Sequence, residues 1–307
     1  MKRILVTGSS GTIGTRLCEK LINEGYSITG VDNKPNKWNK QIQGLTINLD
    51  LRDKEKVMSR LPNDFDLVIH LAANARVYNL VKEPSMARDN LEILFNVLEF
   101  TRLNNIKKVM FSSSREVYGN SNKIIHNEEE SFVKNCESPY TASKIGGEAL
   151  IHSYQQCYGL EFIIFRFSNV YGMYDDSDRV IPLFIRYCEE NKDLIIYGKD
   201  KLLDFTHVDD VVKGILQSIR KFEDIKDNTF NIAYGQGVSI MEVAQLIRKN
   251  LNSNACIVLE ENRTGEVVKY IADISKARKK INYDPKIKID EGIKKTINWY
   301  KQRNNLF

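Results

Sequence analysis

The sequence predicts an α/β fold, a Rossmann-type doubly wound parallel sheet with a smaller mixed α/β C-terminal substrate region. In the first two-thirds of the chain, short apolar segments alternate with helix-length segments, which is typical of a parallel sheet with helices on both sides. Several apolar segments are nearly continuous, as expected for strands that are buried on both faces. A glycine-rich segment at residues 8–14 stands between the first strand and the first helix.

The elements of this first part follow from the pattern in order. The apolar segments predict strands at residues 3–7, 27–31, 45–48, 67–71, 108–112 and 161–167. The segments between them predict helices at residues 13–24, 54–61, 86–103 and 139–158.

The regular alternation stops after residue 167. The remaining sequence predicts helices at 182–191, 209–221 and 241–251, strands at 229–233 and 257–260, and two further helical segments in the tail. We therefore expect a nucleotide-binding domain over residues 1–167, to which residues 204–235 return. Residues 168–203 and 236–307 should form a substrate-binding region over the carboxyl ends of the parallel strands, where such sheets bind ligands.

Composition excludes several classes of function. The 307 residues include 45 basic and 40 acidic side chains, a formal net charge of +5, and the charges are interspersed, which predicts a solvated surface and no nucleic-acid partner. The five cysteines form no CxxC pair and the four histidines have no metal-ligand spacing, so we expect free thiols, a cytoplasmic location and no metal. No run approaches the ~18 apolar residues of a membrane span.

The segment at residues 8–14 has the spacing GxxGxxG, with Gly8, Gly11 and Gly14 at its glycine positions. Glycines allow a tight turn and a close approach of the backbone to a pyrophosphate, and the following helix supplies free N–H groups and a positive dipole end. Thr12 and Ile13 belong to this first helical turn. We expect a dinucleotide to bind here.

Asp32 and Asn33 follow the second strand. A carboxylate at this position accepts hydrogen bonds from both ribose hydroxyls of the adenosine half and repels a 2′-phosphate. The sequence therefore predicts that the cofactor is NAD and not NADP.

Two further strand ends complete the predicted cofactor site. Asp50 and Leu51 follow the third strand, where the carboxylate could meet an adenine amino group or could simply begin a helix. Leu71, Ala72 and Ala73 follow His70 at the end of the fourth strand, where small residues let the backbone approach a flat cofactor. His70 itself is expected to be a packed strand residue.

The chemistry is predicted to lie on one helix and one strand end. Ser138 and Pro139 fit the N-cap and the first position of a helix, which places Tyr140 and Lys144 four residues apart on one face. A nearby ammonium, together with the positive nicotinamide ring, lowers the pKa of a tyrosine and lets it act as a base. The serine-rich segment at residues 112–114 can hydrogen-bond the same substrate oxygen.

On these residues the chain resembles the extended short-chain dehydrogenase/reductases of the NAD-dependent sugar-nucleotide epimerase/dehydratase family, and most of all a UDP-sugar 4-epimerase. The resemblance covers nearly the full length. It rests on residues 8–14, 32–33, 70–73, 90, 112–119, 140–144, 166–172, 204–210, 231–235 and 263–266.

The resemblance implies a role for each matching residue. Ser114 corresponds to the catalytic Ser/Thr, Tyr140 is the acid/base, and Lys144 holds the nicotinamide ribose. Asn169 and Arg263 correspond to residues that bind the substrate diphosphate. The backbone around Val180 approaches the nucleotide base, which in this family is usually uracil. Relatives commonly form homodimers through two helices, here at about 91–103 and 139–157.

Two departures from the family pattern affect the substrate site. Many relatives have an arginine where this chain has Leu203, so diphosphate binding must depend more on Arg263, with Lys201 or Arg179 as further candidates. Residues 174–179 are also unusually acidic for a pocket that receives an anion. They form either a solvated loop or a segment in which Arg179 is the functional member.

The family shares a first step, oxidation of the sugar at C4, and divides at the second. An epimerase lets the 4-keto sugar turn over and returns hydride to the opposite face, whereas a 4,6-dehydratase uses an Asp-Glu pair and a uronic acid decarboxylase keeps the Glu. This chain has Arg115-Glu116 there, and Arg115 cannot donate a proton near neutral pH.

We therefore expect an NAD-dependent nucleotide-sugar 4-epimerase that acts on UDP-glucose/galactose or an N-acetylated UDP-hexose. The alternatives are a nucleotide-sugar dehydratase or a UDP-glucuronate decarboxylase that uses Glu116. A non-catalytic NAD-binding protein is disfavoured because Ser114, Tyr140 and Lys144 are all present.

Overall fold

The computed structural model describes residues 2–302. Its strands are β1 (Arg3–Thr7), β2 (Ser27–Asp32), β3 (Thr46–Asn48), β4 (Leu67–His70), β5 (Lys108–Ser114), β6 (Ile125–His126), β7 (Glu161–Phe167), β8 (Asn169–Tyr171), β9 (Leu194–Tyr197), β10 (Leu202–His207), β11 (Asn228–Ile232), β12 (Gly237–Ser239), β13 (Ile257–Glu260) and β14 (Lys269–Ala272). Its helices are α1 (Thr12–Asn23), α2 (Lys40–Leu45), α3 (Lys54–Arg60), α4 (Val77–Lys82), α5 (Ser85–Leu103), α6 (Pro139–Tyr158), α7 (Val180–Glu189), α8 (Val208–Arg220), α9 (Phe222–Ile225), α10 (Ile240–Leu251), α11 (Ser275–Ile281) and α12 (Ile289–Gln302).

The main sheet has seven parallel strands in the order β11-β7-β5-β4-β1-β2-β3. The chain winds outwards from β1 through β2 to β3, and then returns to the other side of β1 with β4. The order therefore reverses between β1 and β4, and the carboxyl ends of these two strands form the crevice in which doubly wound sheets bind ligands.

Apolar side chains on both faces of this sheet bury it between two helix layers. On β1, Ile4 and Val6 belong to the core formed with α1 and α8, whereas Leu5 belongs to the core formed with α5 and α6. The period of two along a strand puts neighbouring side chains on opposite faces, so a continuous apolar run is what a sheet buried on both sides requires.

A second sheet is formed by strands from the C-terminal half of the chain together with β6. Its strands follow the order β12-β10-β14-β6, β8 also pairs with β10, and β9 and β13 form a separate parallel pair. Helices α7, α10 and α12 share a third apolar core with these strands. The sequence predicted loops and one helix for residues 168–204. This prediction missed β8, β9 and the start of β10, because strands of three or four residues carry too few positions to show a period.

The predicted α/β class and the parallel sheet are confirmed. Predicted strand 3–7, strand 161–167, helix 139–158 and strand 257–260 agree with β1, β7, α6 and β13 to the residue, and most other ends differ by one or two residues. Ser138 caps α6 by accepting the N–H of Thr141 at 3.2 Å, and Ser239 caps α10 in the same way.

The domain boundaries stay a prediction, although strand pairing bears on them. Residues 208–232 return to the first domain, because α8 packs against α1 and β11 extends the main sheet. Residues 204–207 lie in β10, which pairs within the second sheet. Among residues 2–302, no helix is long and apolar enough to cross a membrane.

Candidate active site

One cavity of about 920 Å³ lies over the carboxyl ends of the main-sheet strands, between them and the second region. It is lined from one side by the loops that follow β1, β2, β3, β4 and β5, and from the other by α7, β9, β10 and the segment before β14. All residues that the sequence singled out as cofactor, catalytic or substrate residues line this cavity.

The loop after β1 gives the cavity a helix N-terminus. Gly11 is the N-cap of α1 and makes no side-chain cap hydrogen bond, so the first N–H groups of the helix are available to an anion. Gly8 has a φ of +71°, which only glycine adopts at low cost. A Cβ at Gly14 would lie 2.0 Å from the Gly8 carbonyl oxygen. The loop is therefore folded tightly on itself, and its residues fit a dinucleotide pyrophosphate.

Asp32 and Asn33 line the same part of the cavity at the end of β2. The Asp32 carboxylate accepts the N–H of Ser10 at 3.0 Å and the N–H of Lys34 at 2.9 Å, which fixes its orientation. Burial raises the pKa of Asp32, and these two backbone donors oppose that effect. The loop after β1 and the carboxylate after β2 are thus joined, as the prediction of an adenosine ribose site requires.

Asp50 and Leu51 lie beyond β3. Arg52 pairs with Asp50 at 2.6 Å and lowers its pKa, and Arg52 also reaches Asp89 at 2.9 Å. The carboxylate at this position is therefore already held by a neighbouring guanidinium. A contact of Asp50 with an adenine amino group stays a prediction.

The segment after β4 forms the wall beside the glycine loop. A Cβ at Gly8 would lie 2.8 Å from the backbone nitrogen of Ala72, so the two strand ends are in direct backbone contact, and Leu71 and Ala73 line the cavity next to it. His70 is fully packed: its Nδ1 hydrogen-bonds the Thr7 hydroxyl at 2.9 Å, and burial lowers its pKa to about 3. It is a packed strand residue, as predicted.

The three catalytic candidates meet where β5 ends against α6. Ser114 is the last residue of β5, and its side chain hydrogen-bonds Tyr140. Lys144, one helical turn beyond Tyr140, donates to the backbone carbonyl of Ser112 at 2.7 Å. Its ammonium lies 5.8 Å from the centre of the Tyr140 ring. The spacing of four residues on one helix face therefore produces the arrangement that the sequence predicted.

Burial dominates the titration of this group. It raises the pKa of Tyr140, against the Ser114 hydrogen bond and the charges of Arg179 and Arg115. It also lowers the pKa of Lys144 to about 8, with Glu148 acting in the opposite direction. The protein's own groups thus do not produce the predicted lowering of the Tyr140 pKa. That prediction also involved the positive charge of a nicotinamide ring, and it stays a prediction.

Arg115 and Glu116 stand just after Ser114 and are both buried. They form an ion pair at 2.8 Å, and Arg115 also lies over the Tyr270 ring at 5.7 Å. Burial raises the pKa of Glu116, and the neighbouring Arg115 opposes it. Glu116 is therefore a buried carboxylate held by its neighbouring guanidinium.

The acidic segment at residues 174–179 is not simply a solvated loop. Asp175 is buried and lies 3.5 Å from Arg179, Asp178 pairs with Arg186 at 2.8 Å, and Asp176 pairs with Lys37. Each carboxylate thus has a basic partner. The positive charge of Arg179 still reaches the reacting oxygen, since it lowers the pKa of Tyr140.

The diphosphate candidates differ in how they are held. Lys201 is buried and forms an ion pair with Glu266. Arg263 lies between two aromatic rings, with its guanidinium carbon 3.7 Å from the centre of the Tyr197 ring and 4.5 Å from that of Tyr78. Asn169 donates to the Asp204 carbonyl at 2.9 Å. Val180 is the first residue of α7 and lines the cavity.

Sequence reasoning missed Arg76. It follows β4 by six residues, precedes α4 and lines the cavity. The signal was its place on the loop after a central strand, where ligand-binding residues of this fold lie. Together with four residues already named it forms a positively charged lining that we call the basic wall. The basic wall consists of Arg76, Arg115, Arg179, Lys201 and Arg263.

Comparisons with known proteins agree with this geometry. A putative UDP-glucose 4-epimerase of Methanocaldococcus jannaschii is 35% identical over 98% of this chain and 99% of its own length. A UDP-N-acetyl-alpha-D-glucosaminuronate decarboxylase of Bacillus cytotoxicus is 30% identical over 99% of both chains. Among solved structures, the UDP-glucuronic acid 4-epimerase of Bacillus cereus, in complex with UDP-glucuronic acid and NAD, superimposes with a TM-score of 0.89 at 27% identity, over 98% of this chain and 99% of that one.

The family comparison covers most of the chain. The model of the NAD-dependent epimerase/dehydratase family matches residues 4–233, which include the glycine loop, Asp32, Ser114, Tyr140 and Lys144. Both full-length relatives and the site geometry agree with that match. The chain belongs to the NAD-dependent epimerase/dehydratase family.

Proposed function

We propose that the chain is an NAD-dependent UDP-sugar 4-epimerase that acts through a transient 4-keto sugar. The observation that carries the proposal is the meeting of Ser114, Tyr140 and Lys144 in one cavity between a dinucleotide loop and the basic wall. The epimerases among its relatives and structural neighbours support the same reaction.

The cofactor half of the cavity fits NAD. Residues 8–14 would hold the pyrophosphate, Asp32 and Asn33 the adenosine ribose, and Lys144 the nicotinamide ribose. Bound NAD supplies an acceptor, and later a donor, for the hydride at the sugar's C4.

Tyr140 and Ser114 handle the proton. The Tyr140 oxygen, fixed by its hydrogen bond with Ser114, takes the proton of the C4 hydroxyl as the carbonyl forms and returns it after the sugar has turned. Lys144 is held by the Ser112 carbonyl within range of the Tyr140 ring, so its charge stabilises the phenolate. Burial raises the pKa of Tyr140, and the positive nicotinamide ring of bound NAD would add to the charge of Lys144 in favouring the phenolate.

The Arg115–Glu116 pair supports epimerisation over elimination. A 4,6-elimination needs a second acid next to the Ser/Thr, and the guanidinium of Arg115 cannot release a proton near neutral pH. One observation favours a second candidate, decarboxylation of a UDP-uronic acid: Glu116 has a raised pKa and, among residues 2–302, no hydrogen-bond partner for its Oε2 atom. The decarboxylase among the relatives supports this alternative.

Proton NMR of sugar products tests the proposal. Purified protein is incubated separately with UDP-glucose, UDP-N-acetylglucosamine and UDP-glucuronate, without added NAD. A new C4 epimer with one of them is the expected result, because the cofactor is regenerated in each cycle. A keto-deoxy sugar would instead support a dehydratase, and a pentose with release of carbon dioxide would support a decarboxylase. A requirement for stoichiometric NAD would contradict a redox-neutral cycle.

The same proposal includes a homodimer. Helices α5 and α6 pack side by side, and Phe95, Leu103 and Tyr158 on them are about half exposed. A shallow depression there is lined by Leu91, Phe95 and Leu150 together with two charged residues. Light scattering at micromolar concentration should give twice the mass of the 35.4 kDa chain, and a monomer would refute the dimer.

We also propose that the enzyme works in the cytoplasm. All five cysteines are free thiols, three of them exposed, which suits a reducing compartment.

A further inference from the structure

The five cations of the basic wall are not equally available to an anion. Arg115 pairs with Glu116 at 2.8 Å, Lys201 pairs with Glu266, and Arg179 lies 3.5 Å from Asp175. Arg76 and Arg263 form no ion pair with any residue between 2 and 302. Two guanidinium groups of the wall therefore lack a carboxylate, and both line the cavity.

Arg76 is the more unusual of the two. Its side chain is about half buried, its Nη1 atom is fully buried, and within the described chain that atom has no hydrogen-bond partner. A buried guanidinium N–H without an acceptor costs free energy, so such groups are rare unless a ligand completes them. Burial lowers the pKa of Arg76, the charges of Arg179 and Arg263 act in the same direction, and the charges of Asp178 and Asp175 oppose them.

We propose that Arg76 and Arg263 together bind the diphosphate of the nucleotide sugar. The diphosphate carries two negative charges, which match the two unpaired guanidinium groups. A phosphate oxygen is also the acceptor that a planar guanidinium fork binds best. The proposal rests on the proposed function, since it assumes a nucleotide-linked substrate.

The other candidates for this role are worse placed. Leu203 is apolar and buried, so it cannot replace an arginine as a donor. Lys201 would have to give up Glu266, which is costly because the Lys201 ammonium is buried. Arg76 comes from the first domain and Arg263 from the C-terminal region. Their joint use would therefore let the substrate bridge the two walls of the cavity.

A carboxylate on the sugar is the other anion that Arg76 could bind, and the positions of the cations distinguish it from the diphosphate. Arg115 follows Ser114 directly in the chain, and its charge and that of Arg179 lower the pKa of Tyr140. A carboxylate at C6 lies one carbon beyond C5 and so stays close to the reacting C4. Arg115 is therefore the cation placed for a sugar carboxylate, and Arg76, which stands before α4 on the loop after β4, is left for the diphosphate.

Binding of UDP to Arg76→Gln tests the proposal. Titration calorimetry is done on the purified protein with UDP and with uridine, and the NAD content of each preparation is measured. We expect Arg76→Gln to weaken UDP about tenfold to a hundredfold, and uridine not at all, because only the charge-assisted phosphate contact is lost. Arg76→Lys keeps the positive charge but lacks the planar guanidinium, so its affinity for UDP should lie between those of the parent chain and Arg76→Gln. Arg278→Gln, an equal charge change on the exposed part of α11, should bind UDP like the parent chain.

Other outcomes would overturn the inference. Unchanged UDP affinity in a folded Arg76→Gln variant would do so. A loss of affinity limited to UDP-glucuronate would also do so, because it would assign Arg76 to a sugar carboxylate. Loss of NAD with normal UDP affinity would assign it to the cofactor. If the parent chain itself binds no UDP and converts no UDP-sugar, the proposed function fails. If the parent chain converts UDP-sugars while Arg76→Gln binds UDP normally, only this inference fails.

Discussion

The two halves of the cavity are built in different ways. The cofactor half consists mostly of backbone: a glycine loop, the uncapped start of α1 and the close contact between Gly8 and Ala72. The substrate half consists of long charged side chains, several of which neutralise one another, as Arg115 and Glu116 do. A backbone site is fixed by the fold, whereas a site of paired side chains can change its specificity when one partner changes. The first half therefore identifies the family, and the second decides the reaction.

The largest effect should come from the residue that serves both halves. Tyr140→Phe removes the acid/base but keeps the ring, so turnover should fall about 10³-fold while NAD content and thermal stability stay near those of the parent chain. The rates are compared by NMR on the best UDP-sugar substrate. Tyr187→Phe in α7, outside the cavity lining, is the matched control. Full activity of Tyr140→Phe would show that another group serves as the acid/base and would contradict the role proposed for Tyr140.

A methyl group added at Gly14 should disrupt the cofactor half, because this half is formed mostly by backbone atoms. In Gly14→Ala the new Cβ would meet the Gly8 carbonyl oxygen at 2.0 Å, so the loop must shift. Overpacking of this kind costs about 3 kcal/mol, which is roughly a hundredfold in affinity for NAD. NAD released from the purified variant is quantified by enzymatic cycling. Gly44→Ala in α2, where a Cβ meets nothing within 4 Å, should keep the parent content. Equal NAD content in both variants would contradict a pyrophosphate site here.

A pH effect at Lys144, a buried cation of the cofactor half, should sharpen the contrast between the two halves. Burial lowers its pKa from 10.5 to about 8. Between these pH values the unfolded chain holds more protons than the folded one, so the free energy of unfolding rises with pH across that window. Across this window the free energy of unfolding rises by about 3 kcal/mol.

The measurement is the difference in unfolding free energy between the nucleotide-free parent chain and Lys144→Met. The cost of burying the ammonium is fully present below pH 8 and disappears above pH 10.5. The unfolding free energy of the parent chain should therefore rise relative to that of the variant as the pH increases. Contributions from groups that titrate in both proteins cancel in this difference. A difference that stays constant with pH would mean that Lys144 keeps its charge when buried.

The same contrast explains what could be predicted from the sequence. The glycine loop and the Tyr140–Lys144 pair lie within seven residues and one helical turn, so strand-to-helix order and helix register alone place them correctly. The pairing of Lys201 with Glu266 joins residues 65 positions apart, and no local period encodes it. Arg76 was missed for a related reason. Its importance depends on which other cations find carboxylates, and that is decided only in three dimensions.

The smallest effect on activity is expected from Glu116→Gln. This variant tests whether the substrate half of the cavity determines the type of reaction. The amide oxygen of glutamine can still lie beside the Arg115 guanidinium, which Glu116 Oε1 approaches to 2.8 Å, so the packing of the pair survives without its charge. If Glu116 serves only to neutralise Arg115, epimerisation should fall less than about tenfold. Rates are measured by NMR on the UDP-sugar substrate, and carbon dioxide is measured separately with UDP-glucuronate.

Glu129→Gln, at an exposed position of the same charge, controls for the loss of one carboxylate. A loss of about a hundredfold or more in Glu116→Gln, with folding intact, would be the size expected for a general acid or base. Because the Oε2 atom of Glu116 is buried without a partner among residues 2–302, that outcome has a clear physical source: a carboxyl with a raised pKa would carry the second proton. The basic wall would then serve to bind a uronic acid, and the chain would be a decarboxylase built on the same cofactor half.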